Sequence, residues 1–183
     1  METPTISELA SRLEKSEIFK KFKAEYPNSF FCAGFFILNF KTDSSEYTLD
    51  YREERDIFTF KIPTSEAAIT MIKEEILDLQ KPLEKISRDV KVDLPELKEI
   101  VEKALQDNNI KNKLEEVIAV LQLIEDQKVW NLTCMCEGFT IISIHLHSET
   151  QGILKFEKRN LLDFVKTTKP TTTNKPAETT KEP

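Results

Sequence analysis

A chain of 183 residues and 21.2 kDa suits one domain, or two small ones packed together. Its three glycines, Gly34, Gly138 and Gly152, cannot form a GxGxxG turn, which excludes P-loop and dinucleotide-binding chemistry. The net charge is −6, and the last 18 residues carry four Lys and two Glu, leaving about −8 on the rest, so neither a nucleic-acid backbone nor an anionic membrane is an expected partner.

Three cysteines make no disulfide framework, no basic-then-apolar leader opens the residues given, and no apolar run approaches the ~18–20 residues of a membrane span. These features predict a cytoplasmic protein with reduced thiols.

In chain order, residues 5–25 read as one amphipathic helix. Thr5 and Glu8 form a capping-box pattern, and Ile6, Leu9, Leu13, Phe19 and Phe22 recur at helical spacing up to Pro27. Phe30 to Phe40 reads as a strand, Thr42 to Ser45 as a turn, and the alternations of Tyr47, Leu49, Tyr51 and of Phe58, Phe60 as two more strands. Apolar side chains on both faces of the 30–40 strand require two covering layers. The expected covers are a helix over 66–79, with Ala68, Ile69, Ile72, Ile76 and Leu79 as its stripe, and a second subunit.

Residues 82–92 read as a charged connector. Asp93 with Pro95 opens a helix to about Gln106, with Leu97, Ile100, Val101, Ala104 and Leu105 facing inward. Residues 115–124 fit either a helix or a strand. Strands follow at 129–136, 139–147 and 153–157, then a brief helix LLDFV capped by Asn160. From Thr167 the chain has no apolar residue larger than Ala177 and is predicted to be disordered.

An offset of 83 residues lays Trp130–Cys134 over Tyr47–Tyr51 and Ala119 over Phe36, and the order of elements matches. The repeat makes 115–124 a strand. The expected fold is α+β, with two tandem modules, each a helix on an antiparallel meander. They cover 1–63 and 93–166, joined by a helical connector at 64–92 and followed by a tail at 167–183.

The second module resembles a PepSY-type domain, whose fold is similar to cystatin. The resemblance lies in Val129-Trp130-Asn131-Leu132-Thr133 and in the run Ile142 to Leu154. That run keeps Thr150 and a turn glycine, Gly152, but has His147 where the family has Asp and an extra Gln151. Uncharacterised archaeal proteins with paired modules are similar. The resemblance implies binding or restraint of peptidases and brings no catalytic residues.

Cys134, Cys136, His145 and His147 are the residue types of a tetrahedral zinc site. With Glu137-Gly138 as a two-residue turn, all four share a face, but Cys134 and His145 stand about 13 Å apart along the strands, too far for one ion or for a thiol and its base. Cys32 reads as a small core residue. Asp50 lies mid-strand and Glu53, Glu54 and Asp56 in a charged turn; the run reads as a solvated hairpin end in which nothing marks a raised pKa, Asn131-Leu132-Thr133 as an accidental sequon, and Trp130 as a core or sheet-face anchor.

No metal, cofactor or catalytic residue is expected. The predicted function is a non-enzymatic module that binds a protein or peptide, or its own twin, through a sheet face or edge. The alternative is a carrier for a small apolar ligand, with Phe31, Phe35, Phe58 and Phe60 around a pocket between helix and sheet.

Overall fold

The structure, a computed structural model, describes residues 2–42, 44–65, 67–75 and 83–160. Thr5 opens α1 (Ile6–Lys15) with the expected capping box, its hydroxyl accepting from the Glu8 N–H. The single helix expected to Glu25 is in fact two. Ser16 is extended (φ −74°, ψ 144°), donates from its hydroxyl to the Leu13 carbonyl at 2.6 Å and caps α2 (Glu17–Glu25) by accepting from the Phe19 N–H. Serine competes for backbone hydrogen bonds in this way, which is why it favours caps over helix interiors. The break directs Phe19 and Phe22 onto Tyr51, Phe58 and Phe60, with ring centroids 4.8–5.9 Å apart.

β1 (Phe30–Asn39), β2 (Glu46–Glu53) and β3 (Asp56–Lys61) follow as the alternation predicts. A fourth strand, β4 (Thr70–Glu75), stands where a helix was expected, and residues 66 and 76–79 of that expected helix lie outside the described residues. Ile69 and Ile72 fit helical spacing equally well, but Thr70–Glu75 pairs in full with Asp56–Lys61, and the free edge of β3 decides the conformation. After the connector, which has no helix over residues 83–92, come α3 (Leu94–Asp107), β5 (Leu114–Ile124), β6 (Gln127–Cys136), β7 (Thr140–His147) and β8 (Ile153–Asn160). The expected helix 161–165 and the tail lie outside the described residues.

The eight strands form one antiparallel sheet in the order β4-β3-β2-β1-β5-β6-β7-β8. This overturns the expected pair of modules joined by a helical connector. β1 and β5 pair directly from Gly34↔Leu121 to Asn39↔Glu116, and one buried cluster runs unbroken from Phe58 and Phe60 to Ile142 and Leu146. Phe36 and Ala119, equated by the repeat, are cross-strand partners in the middle of that sheet. Two small cores would each bury a smaller share of their surface than one large core does.

The buried residues of α1, α2 and α3 all belong to this one cluster, with Phe36, Leu49, Val117, Trp130 and Ile144 from one face of the sheet. Gly34, mid-strand, makes room for the Phe36 ring. A Cβ there would stand 2.6–2.7 Å from ring atoms of a side chain that is itself fully buried. Segment 83–92 ties the halves of the sheet together across the strand ends. The Ile86 N–H donates to the Phe31 carbonyl, and Lys91 and Val92 donate to the carbonyl of Ser148, which is buried.

Candidate functional site

Helices cover one face of the sheet, and among the described residues no helix or strand is laid against the other. Cross-strand register defines what that face presents. One row runs Lys155, His145, Asn131, Val120, Phe35, Thr48, Lys61, Thr70, and the next Glu157, Ser143, Thr133, Ile118, Ile37, Glu46. Phe35 is 37% exposed, although it sits in the central pair of strands. Ile37, Ile118 and Val120 beside it, with Met135 and Ile141 further along, are only partly buried.

On the three middle strands β1, β5 and β6 this face carries a single charged side chain, Glu116, in a chain that is 32% charged. Charge gathers at the periphery instead. Lys61 pairs with Glu46 at 2.6 Å, and Lys155 and Arg159 share Glu157 at 3.0 and 3.2 Å. An apolar centre flanked by neutral polar groups on β6 and β7, and by Glu46, Thr48 and Asp50 on β2, has the apolar core and polar rim of a protein-binding surface.

Asp50 projects from β2 onto this face, opposite Ala33 and Thr59. Its Oδ1 is buried without a hydrogen-bond partner. Burial pushes its carboxyl above the usual value, helped by the nearby Glu74 and opposed by the Thr59 hydroxyl. The sequence reading gave Asp50 no raised pKa; shielding by its sheet neighbours reverses that. The folded protein therefore holds this proton more tightly than the unfolded chain does. Stability is lost as pH rises from the unfolded value near 3.8 through the raised folded value, and the loss is complete above it. Asp50→Asn is expected to gain about 1–3 kcal/mol at neutral pH, because a neutral amide costs less to bury than an ionised carboxylate with an unpartnered oxygen. The gain should vanish near pH 3, and urea denaturation at the two pH values measures it.

The structure separates Cys134 and Cys136 from His145 and His147. The turn is three residues, Glu137-Gly138-Phe139, so Cys136 pairs with Thr140, Cys134 with Ile142 and Asn131 with His145. One residue of register exchanges faces. The cysteines point into the core and the histidines onto the open face, where the His147 Nδ1 accepts from the Glu149 N–H at 3.1 Å. Cys32 sits at a bulge in β1. Burial, with the Asp50 charge, pushes its thiol up to about 12, and burial also raises Cys134 and Cys136, which keeps all three as thiols at neutral pH.

Phe31, Phe35, Phe58 and Phe60 do not surround one void. Phe58 and Phe60 are fully packed in the core, and Phe35 is on the opposite face. Phe31 borders a surface groove with Phe19, Phe30 and Tyr51, under Lys23, Lys85 and Arg88. Lys23 there donates to the Pro27 and Ser29 carbonyls, and Arg88 pairs with Glu14 at 2.7 Å. Trp130 is the expected core anchor, and Asn131 and Thr133 of the sequon lie mid-strand on the open face. Among the described residues no helix is long and apolar enough to cross a membrane.

No family model and no curated protein matches the chain. A crystal structure described as a putative lipoprotein from Clostridium difficile 630 is similar in fold. It has a TM-score of 0.54 at 14% identity, over 80% of this chain and 97% of that one. At that identity the likeness concerns the fold alone.

What sequence reasoning missed is which face of the sheet has no helix laid against it among the described residues. Apolar residues on both sides of β1 were visible, but Phe35 and Phe36 are the same residue type, and only the placement of the helices tells them apart.

Proposed function

We propose that this chain is a non-enzymatic binding module that receives a protein partner on the uncovered sheet face. The observation that carries the reading is the charge-poor apolar centre made by Phe35, Ile37, Ile118 and Val120. The face is favoured over the edges. The edge strands carry Lys73, Glu74 and Glu75 on β4 and Lys155, Glu157, Lys158 and Arg159 on β8, and charges at a sheet edge discourage the addition of another strand. The resemblance of 129–154 to PepSY-type modules, which implies a protein ligand, supports the same reading.

Immobilised wild-type chain is expected to retain a protein in stoichiometric amount. Phe35→Glu should lose it, while Glu102→Lys on the exposed side of α3 should keep it. Because residue 35 contributes little to the core, its substitution should change stability by only about 0.5 kcal/mol. Equal retention by both variants would remove the face from the proposal.

A further inference from the structure

We infer that the occupant of this face is a second copy of the chain, stacked sheet on sheet about a two-fold axis that runs along the strands between β1 and β5. This rests on the binding-face reading and names its partner. Three features of the face carry it.

The first is position. Three strands lie on each side of the β1/β5 pair, so the apolar patch of Phe35↔Val120 and Ile37↔Ile118 occupies the geometric centre. An isologous interface sets the same patch on itself at the axis, which requires a self-complementary centre. Flat apolar and β-branched side chains meet that requirement, because they carry no charge to repel its own copy.

The second is size. Eight strands at about 4.8 Å span about 38 Å, and six paired residues at about 3.3 Å span about 20 Å, giving about 760 Å² of face per copy. A standard stable interface takes about 800 Å² from each partner. A short peptide would leave most of this face bare, whereas an equal sheet covers it.

The third is charge. An axis along the strands lays β4 of one copy over β8 of the other. At the level of Phe35 this sets Lys155 of β8 over Thr70 of β4, while Glu74 lies four residues further along, about 13 Å away. The Lys155 charge of each copy therefore meets a neutral side chain of its partner, twice per dimer. An axis perpendicular to the strands would set β4 on β4 and β8 on β8, like charge on like. Between centre and margin, β2 lies over β6, which places Thr48 against Asn131 and Glu46 against Thr133. Two sheets packed in this aligned way would sit about 10 Å apart, with their strands about 30° off parallel.

The test uses full-length chain. Sedimentation equilibrium over a micromolar concentration series is expected to give a species of twice 21.2 kDa. Phe35→Glu, which sets two carboxylates against each other at the axis, should weaken association by about 100-fold or more, with an unchanged circular dichroism spectrum. A second arm uses the burial of the three native thiols. With Val120→Cys, mild oxidation should give a disulfide-linked dimer, because position 120 meets its own copy at the axis, while Glu102→Cys on α3 should not.

A monomer at every concentration with no cross-link at position 120 overturns the inference. So does a dimer that cross-links only from an edge strand, and so does a monomer in which position 120 is shielded from maleimide, since the face would then be covered from within the chain. The binding-face reading fails separately, when the bait experiment shows retention indifferent to Phe35→Glu. A monomeric chain whose retained partner depends on Phe35 keeps that reading and discards this one.

Discussion

Trp130→Ala is expected to destabilise the protein by about 3–5 kcal/mol, the cost of removing a large aromatic side chain from a packed core. Trp130 is fully buried and is the chain's one tryptophan. Its ring packs 5.8 Å from that of Phe36, and its Nε1–H donates to the Val92 carbonyl at 2.8 Å. It thus joins the centre of the sheet to the segment that leads into α3. Against a total stability of about 5–15 kcal/mol for a typical domain, the loss is enough to leave much of the chain unfolded. Trp130→Phe separates the two roles: it fills most of the volume but leaves the buried Val92 carbonyl without its donor, for an expected cost of about 1–3 kcal/mol. Urea denaturation followed by circular dichroism measures both, since the fluorophore is lost.

Asp93→Ala is expected to cost about 2–4 kcal/mol, because one carboxylate serves the first turns of two helices. Asp93 caps α3, accepting from the Leu94 N–H at 2.7 Å, and its oxygens also accept from the Ile6 N–H of α1 at 3.0 and 3.3 Å. Each lost cap is worth about 1–2 kcal/mol. Asp93→Asn keeps an acceptor oxygen for at least one helix and should recover part of the loss. Thermal unfolding of the three proteins is the check. If Asp93→Ala cost no more than a typical single cap, about 1 kcal/mol, the bridge to α1 would carry no weight.

The two sites show different degrees of legibility. The cap of α3 could be read from Asp93 and Pro95, because an N-cap and its partners lie within one turn of the helix. The bond from Asp93 to Ile6 spans 87 residues and appears in no local pattern. Trp130 could be read as a core residue from its place in an alternating strand, but its acceptor, 38 residues away, could not.

The sequence alone determined the local states whose signals close within a few residues. These are the caps at Thr5 and Asp93, the alternation of Tyr47, Leu49 and Tyr51, and the apolar character of both sides of β1. Tertiary structure decided the rest, in each case through pairing between distant segments. Residues 70–75 are a strand because β3 offers a free edge. The cysteines and histidines of β6 and β7 part company because the turn has three residues rather than two. The chain is one sheet because β1 and β5 hydrogen-bond to each other. The candidate site follows from the same cause. Phe35 and Phe36 are chemically alike, and it is the packing of all three helices on the Phe36 side that leaves Phe35 facing outward.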